Sequence, residues 1–205
     1  MLPCSGFNRS ELMRYADRIG SEPVVFLAFD TIKIAKESIV NIRIAEWKDI
    51  EPLVDIYNQA VELGQKTADL QPVTVNNRRQ WFENHKPDKY PILVAECNNI
   101  VIGYATISAY RPGRQALRFT AEISCYVHFD YHRQGVAASL LQYAIDMCPS
   151  LQIKTLFAIL IDSNTASIRL LEKYGFEKWG HLPGVAEFDG VEVGHLYYGL
   201  KIEKC

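Results

Sequence analysis

The chemistry of this chain concentrates in Tyr126-Val127-His128-Phe129-Asp130-Tyr131-His132-Arg133-Gln134-Gly135-Val136-Ala137-Ala138, where a strand-like run ends in a donor-rich turn and a helical pattern opens at Gly135. The first N–H groups of a helix have no partner within it and converge on one point. Such a turn can therefore hold an anion, and small residues behind it let a ligand approach the backbone. Each charge–dipole contact there contributes about 0.3–1 kcal/mol, so several together suit a pyrophosphate. A glycine is also ordinary at a strand–helix turn, and by itself the segment leaves both uses open. GxxxxGK[ST] and GxGxxG loops are absent, which argues against a nucleotide hydrolase or a dinucleotide enzyme. Arg78 and Arg79 stand beside Trp81, while Arg111, Arg114 and Arg118 surround a stretch between two alternating runs. A guanidinium fork matches a carboxylate, so one of them could hold an amino-acid ligand; each could equally be a solvated charge or the partner of an acidic neighbour.

The elements that position these residues follow from periodicity. Ile42 and Ile44 alternate with Asn41, Arg43 and Ala45, a short strand. Asp49 is placed to cap a helix with apolar positions Ile50, Leu53, Val54, Tyr57, Ala60 and Val61, ended by Gly64, with Pro52 harmless in the first turn. Thr74 is the expected cap of a second helix, 75–85, stopped by Pro87. Strands follow over 91–97, 100–109 and 117–128, the first two joined at Asn98-Asn99. A third helix covers 134–147, a strand 154–161, and a short helix 164–174 precedes Gly175. Two last strands, 176–182 and 191–202, flank a loop with Pro183, Gly184 and Gly190. The order β-α-α-β-β-β-α-β-α-β-β predicts an α/β fold: a mixed central sheet flanked by about four helices, and not a doubly wound parallel sheet. Residues 1–40, helical in pattern at 9–19 and strand-like at 23–29, read as an N-terminal extension to a domain at 41–205.

Composition narrows the function classes. Of 205 residues, 48% are hydrophobic and 22% charged, enough for a buried core and unlike a disordered chain. The net charge of −2 and pI near 6.2 give no basic footprint for nucleic acid. The apolar run 24–29 is too short to span a bilayer and lacks a basic leader, so neither membrane nor secretion is expected. Cys4, Cys97, Cys125, Cys148 and Cys205 form no CxxC pair, no HExxH occurs, and His128 with His132 lacks a third ligand nearby. Neither a disulfide framework nor a metal is expected, and a reduced, cytoplasmic protein is. Cys125, without a histidine at triad-like spacing, reads as a small buried apolar residue.

His132-Arg133-Gln134-Gly135-Val136-Ala137 resembles the Q/R-x-x-G-x-G/A acyl-CoA-binding signature of the GNAT superfamily of N-acetyltransferases, with His at the first position instead of Gln or Arg. Asn164-Thr165-Ala166-Ser167-Ile168-Arg169-Leu170-Leu171-Glu172-Lys173-Tyr174-Gly175-Phe176 is similar to the later motif, N-x-A-S-I-R-L-x-E-x-x-G-F. Within the superfamily the chain is most similar to the phosphinothricin and small-amino-acid N-acetyltransferases. That similarity is carried by Ile42-Arg43-Ile44-Ala45, Ile56-Tyr57-Asn58, Trp81-Phe82, and the run Thr120 to Val127, which follows T-V-E-x-S-x-Y-V.

The resemblance implies a GNAT fold, acetyl-CoA as co-substrate, a small-molecule amine as acceptor and a homodimer. It implies that Glu122 is the general base, acting through water, and that backbone groups near Val127 receive the thioester carbonyl. Amides from Arg133 to Ala138 would hold the pyrophosphate, in a cofactor site that includes Tyr126, His128, His132, Gln134, Gly135, Val136 and Ala137, with Asn164 and Ser167 toward the pantetheine arm. Arg78 and Arg111, with Asn58 and Trp81, would bind the acceptor. The need for a base follows from chemistry: an α-amine of pKa about 8 is roughly one-tenth neutral at pH 7, a lysine near 10.4 about 0.04%. A positioned base typically contributes about 10²–10⁴-fold. A strand carboxylate such as Glu122 could instead simply pair with an arginine. Many family members have a tyrosine four residues before the G-F pair as acid for the leaving thiol; here that residue is Leu171, and Tyr174 lies on another helical face. An acceptor that is a peptide N-terminus and an acyl-CoA-binding module without turnover are the two alternatives.

Overall fold

Alternating apolar residues assemble into one mixed sheet, with helices packed on its two faces. The computed structural model describes residues 32–34 and 38–202; the helical stretch expected at 9–19 and the strand at 23–29 lie outside them. In chain order the elements are β1 (Ile32–Ile34), β2 (Ser38–Ile44), α1 (Ile50–Glu62), α2 (Val75–Asn84), β3 (Ile92–Cys97), β4 (Ile100–Ala109), β5 (Thr120–Val127), α3 (Val136–Met147), β6 (Thr155–Ile161), α4 (Thr165–Lys173), β7 (Glu177–Phe188) and β8 (Val191–Lys201). The sheet order is β1-β2-β3-β4-β5-β6-β8-β7, antiparallel throughout except between β5 and β6. From β2 onward the order of elements along the chain is the expected one. Strand β1 was not expected; it pairs with β2, which begins at Ser38, ahead of Asn41.

Local chemistry explains most boundaries. Asn98 and Asn99 both adopt positive φ (51° and 63°), as a two-residue hairpin between right-twisted strands requires. Thr74 caps α2 by accepting from the Asn77 N–H. Two expectations need correction. The loop foreseen around Pro183 and Gly184 is strand: β7 runs on to Phe188, absorbing both residues in a register shift between Leu182 and Ala186. As an edge strand it tolerates a proline, which has no N–H to give a ladder. The strand expected from Leu117 begins at Thr120, because 115–117 curl into a short 3-10 turn.

The two faces carry separate cores. On one, Leu140, Leu141 and Ala144 of α3 pack on Ile107, Ile123 and Leu156. On the other, Leu53, Ile56, Tyr57 and Val61 of α1 pack on Ile92, Val94 and Tyr104. Helix α2 has no fully buried residue and leans on this second core through Trp81 and Phe82.

Asp49 precedes α1 but makes no side-chain cap bond to it. Its buried carboxylate instead accepts from Arg43 at 2.7 and 2.9 Å and from the Glu46 N–H at 2.7 Å, while Arg43 also reaches Glu96 at 2.6 Å. Burial alone would push the Asp49 carboxyl up; the bonds from Arg43 and Glu46 outweigh it and hold the group below its usual 3.8. Removing one partner of a buried pair typically costs about 3–5 kcal/mol, because the other charge is left without compensation. Arg43→Ala is therefore expected to lower the unfolding free energy at pH 7 by about 3 kcal/mol in urea titrations. A depressed carboxylate stabilises the fold above its unfolded pKa and loses that contribution as pH falls through the folded value, so the gap between the two proteins should narrow below about pH 4.

Candidate active site

Strands β5 and β6 pair only at Thr120↔Thr155, Ala121↔Leu156 and Glu122↔Phe157. Beyond Glu122 both strands continue, to Val127 and to Ile161, without pairing. The strands therefore splay, and backbone groups on their facing edges are left for another partner. Beside the free end of β5 lies a cleft of about 470 Å³, which Glu122 does not line. It is lined by Tyr126 and Val127 of β5, by His132, Arg133 and Gly135 of the following turn, by Val136, Ala137 and Ala138 at the start of α3, and by Asn164 and Ser167 at the start of α4.

The turn is held by its own side chains. His132 Nε2 lies 2.9 Å from the Val127 carbonyl, Gln134 Nε2 donates to the Asp130 carbonyl at 2.8 Å, and the Asp130 N–H donates to His128 Nδ1 at 3.3 Å. Arg133 and Gly135 take positive φ (61° and 88°), and Gly135 is the N-cap position of α3. Left-handed residues at such a turn let successive N–H groups face one anion. At the start of α4, Asn164 accepts from the Ser167 N–H at 3.4 Å.

Ten of the twelve expected cofactor residues thus line one cleft, and His128 and Gln134 brace its turn without lining it. Periodicity gave no sign of the opposite wall, built by Ala60 and Leu63 at the end of α1 and by Lys66 beyond it. A long-range bond brings it there: the Phe129 N–H donates to Gln59 Oε1 at 3.0 Å.

Alternation along β5 separates two environments. Cys125 and Val127 pack on the α3-side core and Tyr126 on the α1-side core, so Glu122 and Ser124 share the face of Tyr126. Glu122 is half-buried, and among the described residues it has neither a hydrogen bond nor an ion pair, so the arginine pairing open to it in sequence is not made. Burial pushes its carboxyl above the usual 4.5. Burial also pushes the Cys125 thiol up to about 12, which leaves it un-ionised and inert, as expected.

The expected acceptor residues divide. Arg78 stacks its guanidinium over Tyr57 at 4.2 Å and Trp81 at 5.2 Å, touching Asp69 at 3.4 Å. Tyr57 donates to the same Asp69 carboxylate at 2.6 Å and meets Tyr126 edge-on at 5.0 Å, which links this group to β5. Asn58 instead uses its amide as a clip, donating to the Val73 carbonyl at 2.9 Å and accepting from the Val73 N–H at 2.8 Å. Arg111 sits in the exposed β4–β5 loop at φ 52°, 6.0 Å from the ring of Tyr110. Leu171 is buried in the α3-side core and Tyr174 packs against that core. Among the described residues, no group of three or more His, Cys, Asp or Glu is arranged to hold a metal ion, and no helix is long and apolar enough to cross a membrane.

Residues 50–176 match the sequence profile of the family described as Acetyltransferase (GNAT) family. The chain belongs to this family. It is 36% identical to the L-methionine sulfoximine/L-methionine sulfone acetyltransferase of Pseudomonas aeruginosa, over 72% of this chain and 86% of that protein. It is 34% identical to the L-amino acid N-acyltransferase MnaT of Escherichia coli, over 80% and 95%. Among solved structures it superposes on a GNAT superfamily phosphinothricin acetyltransferase from Sinorhizobium meliloti in complex with AcCoA, with TM-score 0.75 and 26% identity, covering 80% of this chain and 88% of that one. The GNAT fold, with its mixed sheet, is thus the architecture expected from sequence.

An added Cβ at Gly135 would meet nothing within 4 Å, so the φ of 88° alone demands glycine there. Gly135→Ala should consequently cost about 1–2 kcal/mol of stability, the penalty of a left-handed L-residue, with the secondary structure retained. Urea unfolding followed by circular dichroism measures this; an unchanged midpoint would mean that the turn relaxes without strain.

Proposed function

We propose that this chain transfers acetyl from acetyl-CoA to the primary amine of a small amino acid or amino-acid analogue of the phosphinothricin or methionine sulfone and sulfoximine type. The observation that carries the reading is Glu122: a half-buried carboxylate without a partner among the described residues, at the point where β5 and β6 part. Names of relatives supply the acceptor class, and the cleft supplies a fit for the co-substrate. The N–H groups from Arg133 to Ala138 suit a pyrophosphate, and the unpaired edge near Val127 suits a carbonyl and the amide-bearing arm, with Asn164 and Ser167 opposite.

When bound, acetyl-CoA supplies an acyl carbon activated as a thioester. The chain's part is to present the amine in neutral form. Glu122, its proton affinity raised by burial, takes the proton that the ammonium must lose, directly or through one water. Arg78, stacked on Tyr57 and Trp81, holds the acceptor carboxylate, its guanidinium only lightly engaged by Asp69. Arg111, in the exposed β4–β5 loop, is a second guanidinium for the same role. We take 41–205 as the body of the acetyltransferase domain, with β1 and the start of β2 completing its sheet edge, and the residues before them as an extension. A cytoplasmic setting suits three free thiols, Cys97, Cys125 and Cys148. The exposed Trp179, Leu182, Val185 and Val191 offer an apolar surface for pairing of two copies, which light scattering would detect.

The decisive experiment measures thiol release from acetyl-CoA with a panel of amino acids, dipeptides and a no-amine control. Glu122→Gln is expected to lower kcat about 10²–10⁴-fold while leaving the Kd for coenzyme A unchanged. Because the base must be ionised, the acidic limb of kcat should lie above pH 4.5 and disappear in the variant. Turnover equal to wild type would remove Glu122 as base, and binding without thiol release for any amine would make the chain an acyl-CoA-binding module.

A further inference from the structure

His85, at the end of α2, reaches across to the sheet. Its Nδ1 lies 2.7 Å from the Trp81 carbonyl oxygen, an atom that can only accept, so Nδ1 carries the ring hydrogen. In the neutral ring Nε2 is then a bare lone pair. That lone pair lies 3.0 Å from Ser108 Oγ, and only the serine hydroxyl can donate in this contact. Burial lowers the His85 pKa below its usual 6.5, which keeps the ring neutral around pH 7 and the direction of the bond fixed.

The consequence falls on Ser108. A hydroxyl has one hydrogen, and here it is committed to His85, so toward any other group Oγ presents lone pairs alone. Ser108 is also the direct antiparallel partner of Glu122. Side chains at such positions stand on the same face with Cβ atoms about 4.5–5.5 Å apart. Ser108 and Glu122 are both half-buried, and Ser108 has no hydrogen bond besides that to His85 among the described residues. The pair thus offers two acceptors and no donor, at the parting of β5 and β6.

A neutral primary amine, with its lone pair directed at an acyl carbon, has two N–H groups left; a neutral N-methyl amine has one, and a hydroxyl none once its proton is drawn to the base. We propose that Ser108, its hydroxyl turned by His85, accepts a hydrogen bond from one N–H of the acceptor's primary amine while the Glu122 oxygen that carries no proton accepts the other. Ser108 is then a binding and specificity-determining residue, and His85 a positioning residue that acts through it. This rests on the acetyltransferase reading above, which it deepens by naming the feature that selects primary amines.

The test uses the full chain and thiol release with whichever amino acid of the panel is turned over, beside its N-methyl derivative. Ser108→Ala should raise the KM for the amino acid about tenfold, the equivalent of about 1.4 kcal/mol for one hydrogen bond, with the KM for acetyl-CoA unchanged. It should also reduce the preference for the primary over the N-methyl amine by a similar factor, which a merely structural role would not do. Ser108→Thr, which keeps the hydroxyl, should restore both, and His85→Ala should behave like Ser108→Ala. Nitrogen NMR of the free enzyme should find His85 as the Nδ1–H tautomer. Unchanged KM and amine preference in Ser108→Ala, or an Nε2–H tautomer, would overturn this proposal while leaving the acetyltransferase reading intact. Absence of thiol release by the wild type with every amine would instead overturn both.

Discussion

The parting of β5 from β6 is the constraint on which the site depends. Sheet strands ordinarily satisfy one another's N–H and C=O groups, and leaving a buried edge unpaired is costly. Here the ladder ends at Glu122↔Phe157, although both strands have residues to extend it. Each strand is held from its other side, β5 by β4 as far as Val127 and β6 by β8 as far as Ile161, so neither collapses into the gap. Two helices, α3 and α4, then start beside the opening, each with N–H groups that its own turns do not use. The cleft lies beside an interruption in a hydrogen-bonding pattern, where a ligand with a carbonyl, amides and a diphosphate would find unused backbone groups.

The same interruption divides the labour along β5. Odd-numbered Cys125 and Val127 face the α3-side core, while even-numbered Glu122, Ser124 and Tyr126 face α1 and α2. On that second face Glu122 is desolvated by burial, and among the described residues no cation neutralises it. Arg78 is held over Tyr57 and Trp81 instead. Burial therefore raises the proton affinity of Glu122, which is what a base for an ammonium needs. Arg43 shows the opposite outcome a few strands away, where three oxygens on two carboxylates enclose one guanidinium and the acid is held ionised as structure.

What the sequence discloses is what local chemistry controls. Asn98-Asn99, Thr74, Gly135 and Gly175 punctuate the chain with conformations or cap bonds that few residues favour, so the element order from β2 onward is readable from them. The turn from His132 to Ala138 is readable for the same reason: a compact motif whose amides and small side chains act together. Long-range partners are hidden. Asp49 looks like a helix cap, and only the fold brings it to Arg43 and leaves α1 without that bond. Pro183 and Gly184 look like a loop until pairing with β8 draws them into an edge strand. Asn58 has the composition of a binding residue but meets Val73 first. Lys66 and Leu63 reach the cleft through a loop whose placement depends on that clip and on Ser163 donating to Gln65 at 2.8 Å.

Leu171 shows which half of the reaction the fold must assist. Its burial in the α3-side core means that α4 contributes its N-terminus and no acid from that position. The departing thiol has a pKa of about 8.5, so releasing it as thiolate at pH 7 costs only about 2 kcal/mol, and solvent can supply the proton. The amine is more demanding, because the ammonium form has no lone pair with which to attack. The lack of a tyrosine at Leu171 therefore does not by itself imply a silent enzyme, because the amine half of the reaction is where a base is required.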